Sequence, residues 1–574
     1  MSYDVVIVGA SLGGVAAALR AASTGASVCL LEATDWVGGQ FTAQGVTKPD
    51  ENRYVETVGS TASYREFRHL VRLFYRNNFQ LSAPGRSQPA LNPGGGYPGF
   101  SMHPRVGHDV LHQQLTAAPN LHFRSQTRVT GADVQDDTVR GLSTTDTNGV
   151  STRYVAKFFL DATDLGELLP LASVEHVLGA ESRAQTGEPG APDQPRPDWI
   201  QPITIPVALE RRPHGERYTI ARPANYDELK ANQNYTIVDG YISTMFVPGK
   251  DMWSYRRFIA AGNFDDPALP YDLSMINTGS NDYQGATIPT GNATADQAII
   301  EAARQASLGY LYWLQTECPR DDIPNQTGFP ELKPRGDLFG TPDGTARAPY
   351  VRESRRIQAL KTIVQQDVDA SYNPGPRGKL FADSCGIGHY GGMDIHGLRA
   401  VGMPQMFLNV KPFQIPVGAL IPVRVTNLLA SCKNIGVTHV TNGAYRLHPV
   451  EWNIGESAGA LAAFCVKRGV QPRSVWQTAA LLRDYQHALL DVGVPLYWWA
   501  DISFDNRDLF VAANMLGVSG VMSGFDDMTL RPNDLLTDQN RRDIENVVGN
   551  TLDWPSSELS RGQAALWLVG ALGL

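Results

Sequence analysis

Histidine is the side chain whose charge changes near neutral pH, and this chain has only 12 among 574 residues. His439 is the first candidate for a general acid or base. It falls in an expected loop, Ile435 to Tyr445, ahead of a Gly/Ala-rich helix expected from about Pro449 to Lys467. A hydrogen-bonded structural histidine is the plainer alternative. His389 and His396 flank Tyr390, Gly391 and Gly392, and glycines there permit close backbone approach. No acidic partner stands at metal-ligand spacing, so no metal is expected. Arg352, Arg355 and Arg356 form a cationic cluster that could hold a substrate carboxylate bidentately, or pair with Glu353 and nearby aspartates. Cys385 is a candidate thiol, with a buried structural cysteine as the plainer reading.

These residues need a scaffold, and the most specific pattern lies at the N-terminus. Asp4 to Val8 read D-V-V-I-V, an acid before a β-branched run, as in a parallel strand buried on both faces. Gly9-Ala10-Ser11-Leu12-Gly13-Gly14 follows, then an Ala-rich helix former, then a second strand from Ser27 to Leu31 ending in Glu32. Gly9 permits the strand-to-helix turn and Gly14 lets the helix lie close to the strand. The open helix N-terminus suits a pyrophosphate, and Glu32 suits ribose hydroxyls. Ser11 replaces the usual middle glycine and is small enough to keep the approach open. A carboxylate at Glu32 disfavours a 2′-phosphate.

Gly38, Gly39 and Gln40 look like the second glycine pair of glutathione-reductase-class flavoproteins. Lys157 to Leu168, containing Asp161-Ala162-Thr163, resembles the strand and turn that return the chain to the nucleotide domain. The blocks Glu181-Ser182-Arg183, Asn281-Asp282-Tyr283, Pro349 to Arg356, Asp383 to Tyr390 and Thr438 to Arg446 also match in order. Over about residues 1 to 470, the chain resembles the bacterial FAD-dependent oxidoreductase family related to glutathione-reductase and fumarate-reductase flavoproteins. The resemblance implies an α/β fold: a Rossmann-type FAD-binding domain with an inserted α+β substrate domain and a mainly helical C-terminal region. It implies FAD contacts at Gly9, Ser11, Gly14, Glu32, Gly38, Gly39, Gln40, Val129, Ala162, Thr163, Asn442 and Gly443, with Val129 touching adenine through its backbone. It points the N-terminus of the Gly/Ala-rich helix at the flavin N1–C2 carbonyl, which places His439 beside the isoalloxazine and leaves His389 and Arg352 as further catalytic candidates.

The expected organisation is an FAD domain built from residues 1–170, with a loop insertion at about 49–102, and from 425–470. A substrate domain spans 171–424, and a helical region spans 471–574. The long loops Pro84 to Gly99 and Pro319 to Arg347 are candidate covers for the site. The tail from Ala512 to Trp567 resembles one S-layer homology repeat, read here as a packing or dimerisation module. The aromatic runs Tyr310 to Trp313 and Tyr497 to Trp499 read as core.

Composition narrows the class. Lys+Arg 49 against Asp+Glu 58 leaves a net charge of -9, which gives no reason to expect nucleic acid or an anionic membrane as partner. The 5 cysteines are scattered with no C-x-x-C, which suits a reducing compartment. No apolar run is long enough to span a bilayer and no export signal precedes the first strand, so the cytoplasm is expected. There is no second dinucleotide fingerprint and no redox-active C-x-x-x-x-C. The expectation is a dehydrogenase or oxidase moving a hydride between a small organic substrate and FAD. Oxygen, a quinone or a partner protein would be the second redox partner. The alternative keeps the flavin fold in a non-redox or envelope-associated binding role.

Overall fold

The computed structural model describes residues 1–95, 100–240 and 242–574. Its largest sheet contains β1 (Ser2–Val8), β2 (Val28–Leu31), β3 (Leu121–Arg124), β4 (Thr127–Gln135), β5 (Thr138–Asp146) and β6 (Ser151–Asp161). A further strand, Leu428–Ala430, pairs with β6. The strand order β3-β2-β1-β6, then Leu428–Ala430, is parallel throughout. β4 and β5 fold antiparallel onto the first half of β6. Val5, Val6 and Ile7 are fully buried, because helices cover both faces of a parallel sheet.

Two helices fix this core. Helix α1 (Leu12–Ser23) is capped by Ser11, whose hydroxyl accepts from Gly14 N at 3.3 Å. The Gly/Ala-rich helix runs from His448 to Arg468 with Pro449 in its first turn, and every residue from His448 to Cys465 is buried. A helix apolar or small on all sides belongs inside. Its glycines meet α1 backbone to backbone: a Cβ on Gly455 would stand 2.0 Å from Gly13 O, and one on Gly459 2.3 Å from Ala17 O. The glycines were readable as a close-packing face, but nothing local named α1 as the partner.

Between β6 and Leu428 lies a four-stranded antiparallel sheet, ordered Leu332–Pro334, Val207–Arg211, Leu273–Ile276, Arg257–Ile259. Helix Ala293–Thr316 packs on it, burying Tyr310, Leu311 and Leu314 with Leu209 and Ile276 in a core of their own. The segment 49–102 is no simple loop, since helix Ala62–Asn78 occupies its middle and buries Tyr64, Phe67, Val71 and Tyr75. The candidate cover Pro84 to Gly99 is docked through its described part: a Cβ on Gly85 would meet Asn263 O at 2.2 Å, and one on Gly94 would meet Arg257 O at 2.3 Å. Residues 96–99 of that segment lie outside the described residues. Beyond residue 471 the elements are helices, including Arg507–Val518, Asp538–Val548 and Arg561–Leu572. Their apolar residues Phe510, Leu516, Ile544 and Leu568 join the same buried cluster as the main sheet. No helix of the described residues is long and apolar enough to cross a membrane.

Candidate functional site

The C-terminal ends of β1, β2 and β6 open onto a cavity of about 260 Å³. Its walls include Gly9, Ser11, Glu32, Thr34, Val129, Ala162, Thr163 and Glu167, closed from the opposite side by Ile288, Pro349 and Val351. Open α/β sheets bind ligands at this edge. Gly9 sits at φ 94, and an added Cβ would strike Ala162 O at 2.5 Å. Gly14 is tighter, with a Cβ only 1.9 Å from Gly9 O. Only glycine fits these places, as the sequence implies. Ser11 adds what the sequence reading missed, since it also caps the helix. Glu32 accepts from Ala10 N at 2.7 Å and from Thr34 N and Oγ1 at 2.8 Å. Burial nonetheless raises its carboxyl above the ordinary range. Val129 lies half-buried in β4 on the cavity wall.

Asp161, at the end of β6, accepts from Thr163 N at 2.9 Å and Thr163 Oγ1 at 2.7 Å through one oxygen. Its other oxygen is buried without a partner, and burial pushes the carboxyl up to about 7. The folded chain then binds this proton more tightly than the unfolded chain, whose value is the ordinary 3.8. The group's contribution to stability is best below 3.8, falls as pH rises towards 7, and is least above it. Asp161→Asn is expected to stabilise the fold at pH 8 by about 2 kcal/mol and by clearly less at pH 5. Urea unfolding at the two pH values reads this, and an equal effect at both would count against it.

At the N-terminal end of α1 the second glycine pair folds against the first. Gly38 N donates to Ala10 O at 2.8 Å, and a Cβ on Gly39 would stand 3.2 Å from Ser11 Cα. Gln40 is buried, donating to Arg446 O at 3.0 Å and to Glu451, while its Oε1 has no partner. Glu451, in the first turn of helix His448–Arg468, also accepts from Gly13 N at 3.3 Å. It joins the two helix N-termini, and its carboxyl is raised by burial. Asn442 accepts from Gln201 Nε2 at 3.3 Å through Oδ1 and leaves Nδ2 unpartnered. Gly443 lets its helix touch strand Gly392–Ile395, since a Cβ would meet Asp394 N at 2.7 Å.

His439 is not in a loop. It opens helix His439–Tyr445, capped by Thr438, whose hydroxyl accepts from Thr441 N at 3.1 Å. Thr, Asn and Gly are weak helix formers, which hid this short helix. His439 Nδ1 lies 2.9 Å from both oxygens of Glu353, so Nδ1–H donates, and Nε2 is buried with no partner. Glu353 was read only as an ion-pair partner for the arginines. It does pair with Arg356, but it also orients the imidazole. His439 and Arg356 outweigh burial and hold its carboxyl below the ordinary range.

Arg352 is not a free fork. It is 3% exposed and donates through its terminal nitrogens to Asp282 Oδ1, Thr204 Oγ1 and Pro202 O, all at 2.9 Å, while Nε has no partner. Arg355 donates to Leu165 O. His396 bridges two carboxylates, with Nδ1 2.6 Å from Asp282 and Nε2 3.2 Å from Asp394. Burial and Arg352 oppose its charge, but the two aspartates win and its pKa is raised. Burial would raise Asp282, but Arg352 and His396 hold it at about 2. His389 stands apart. It packs edge-on against Trp498 and burial takes it down to about 4. Cys385 is buried, its thiol donating to Ile415 O, and burial pushes it well above the ordinary thiol range. It is the inert structural cysteine. The described residues contain no cluster of three or more possible metal ligands.

The sheet, the glycine cradle and the acid-tipped second strand define a dinucleotide-binding protein of the Rossmann kind. Gln40, Asn442 and His439 each keep one buried polar atom without a partner. The chain belongs to the FAD dependent oxidoreductase family, whose model matches residues 4–489. It is an FAD-dependent oxidoreductase. No curated protein matches it. Among solved structures it is similar to p-nitrophenol 4-monooxygenase from Pseudomonas putida DLL-E4, at 10% identity over 90% of this chain and 94% of that one, TM-score 0.35. It is similar to a geranylgeranyl bacteriochlorophyll reductase-like protein from Thermoplasma acidophilum, at 9% identity over 100% and 99%, TM-score 0.33. It also matches L-proline dehydrogenase from P. horikoshii at 13% identity, TM-score 0.17, over 31% of this chain and only 24% of that one.

Proposed function

We propose that this protein moves a hydride between a small organic substrate and FAD, with His439 as the acid–base group and Glu353 as its positioning partner. The observation that carries this is the His439–Glu353 pair. One imidazole nitrogen is fixed by a buried carboxylate and the other is left free, as a general base requires. FAD, when bound, supplies the two-electron chemistry. The chain's own residues would hold it: Gly9, Ser11 and Gly14 at the pyrophosphate, Glu32 at a ribose, Val129 at adenine, Ala162 and Thr163 along the turn. Gly38, Gly39, Gln40, Asn442 and Gly443 would line the flavin end, with the dipole of helix His448–Arg468 favouring negative charge there.

The fold would belong to the glutathione-reductase class, with residues 171–424 as an inserted substrate domain. Oxygen, a quinone or a partner protein would complete the redox cycle. Five buried free cysteines suit a reducing, cytoplasmic setting. The repeat-like C-terminal segment would serve packing, with a homodimer as its further use; its apolar residues joining the main core support packing over wall anchoring.

The visible spectrum of the purified protein, before and after acid precipitation, tests the cofactor. Flavin absorbance released into the supernatant is the expected result. Colour retained in the pellet would mean a covalent link. A colourless protein that refuses added FAD would sink the assignment of these residues.

A further inference from the structure

The family match stops at residue 489, and nothing above gives the tail beyond it a part in the site. Strands Ser384–Gly388 and Phe413–Pro416 form a two-stranded antiparallel sheet in which every residue is buried. Such a pair is marginal alone, and its buried polar groups need partners. Both helices at the proposed flavin end stand on it. Tyr445, the last residue of helix His439–Tyr445, donates from Oη to Gln414 O at 2.8 Å and packs its ring on Phe413, centroids 4.4 Å apart. Helix His448–Arg468 meets the other strand: Ile387 N donates to Asn453 Oδ1 at 3.0 Å, and Ser457 Oγ to Cys385 O at 2.6 Å.

Further partners come from the tail. Leu496 O accepts from Ser384 Oγ and Gln414 Nε2, one on each strand, both at 2.7 Å. Trp498, only 1% exposed, donates from Nε1 to Gly388 O and Phe413 O, both at 3.1 Å. Those two residues are register partners, so one indole N–H ties the strands at the end of their ladder. The tail segment is itself pinned. Asn514, in helix Arg507–Val518, accepts from Leu496 N and Tyr497 N through Oδ1, both at 2.9 Å. Arg377 donates to the carbonyls of Trp498, Ser523 and Met528 at 2.7, 3.1 and 3.2 Å, and lies over the Tyr497 ring. A tail that only covered apolar surface would need none of these directed bonds.

We propose that Leu496 to Trp498 form a wedge that fixes the floor beneath the acid–base helix, with Trp498 as a positioning residue for His439. The route runs from Trp498 to Phe413 and Gln414, then to Tyr445, then along the helix that His439 opens. A helix of 7 residues is too short to hold itself. Glu353 fixes its first side chain and the strand pair fixes its last. The inference rests on the His439 reading for its catalytic consequence, but the mechanical coupling stands without it.

The test is hydrogen exchange of the full-length flavoprotein, read by mass spectrometry. The His439 Nδ1–H proton is followed in histidine-labelled protein, its signal identified by its loss in His439→Asn. Trp498→Phe keeps an aromatic ring and removes the N–H. It should speed exchange of the 439–445 amides about tenfold and broaden the Nδ1–H signal, with exchange in β1 and flavin content unchanged. Trp554→Phe, which loses a 2.9 Å bond to Glu545 elsewhere in the tail, should leave both readings at wild-type values. Ser384→Ala removes a bond to Leu496 O from the strand side, and gives a second reading should Trp498→Phe fail to fold. Wild-type exchange at 439–445 in both Trp498→Phe and Ser384→Ala overturns the proposal. So does equal acceleration in β1, or the same effect from Trp554→Phe, since either would mean general stability alone. None of these readings needs turnover, so their failure leaves His439 as the acid–base group. Wild-type kcat in His439→Asn would remove that role while leaving the coupling intact.

Discussion

Gly14→Val is expected to yield a protein that no longer holds FAD, with affinity reduced at least ~100-fold. The site allows nothing larger than hydrogen at this position. A Cβ would stand 1.9 Å from Gly9 O and 3.0 Å from Ala162 Cβ. A backbone carbonyl and an alanine methyl therefore oppose it, and neither can rotate away as a longer side chain would. Relief requires α1 to slide off β1. That movement would pull the helix N-terminus from its place beside Gly38, whose N–H bonds Ala10 O. It would also break the backbone contact of Gly13 with Gly455 in the second helix. The loss is therefore larger than one hydrogen bond, because the anion-facing end of the helix and the second glycine pair move together. Gly131→Ala is the control: it sits in β4 with nothing within 4 Å of an added Cβ, and it should keep full flavin occupancy. The measurement is the ratio of flavin to protein absorbance after purification, followed by titration with FAD. Normal occupancy in Gly14→Val would show that the close approach is not what binds the cofactor.

The second large effect concerns turnover rather than binding. His439→Asn should lower kcat by roughly 10²–10⁴-fold, the usual contribution of a positioned acid or base, while flavin content stays unchanged. Glu353 needs a subtler pair of variants. Glu353→Gln keeps the shape but removes the charge that His439 Nδ1 and Arg356 share. Its expected signature is a loss of kcat smaller than that of His439→Asn, with flavin content unchanged. Glu353→Ala should instead cost on the order of 1–3 kcal/mol of stability, because it leaves His439 Nδ1 without its acceptor, while Glu181 still pairs with the buried Arg356. A kcat that falls while KM and flavin content hold separates an orienting role from a merely structural one. Wild-type kcat in His439→Asn would remove it from the chemistry.

Much of this molecule was legible before any tertiary contact was known. The β-branched run to Val8, the glycines at 9 and 14, the Ala-rich helix and Glu32 lie within about thirty residues. Their physical demands are local: a buried strand, a turn only glycine can make, a helix end that wants an anion. Such demands survive in one stretch of chain, and the parallel sheet and the nucleotide cleft follow from them. The proposed acid–base pair was not legible in the same way. His439 was singled out, but its partner Glu353 is 86 residues away, and Gly13 meets Glu451 across 438. Arg352 read as a fork for substrate, and only the fold showed Asp282 already in its grasp. A charge's meaning depends on what is packed around it, and in this chain those neighbours come from segments that meet only when the sheet, the two glycine-faced helices and the inserted region close on one another.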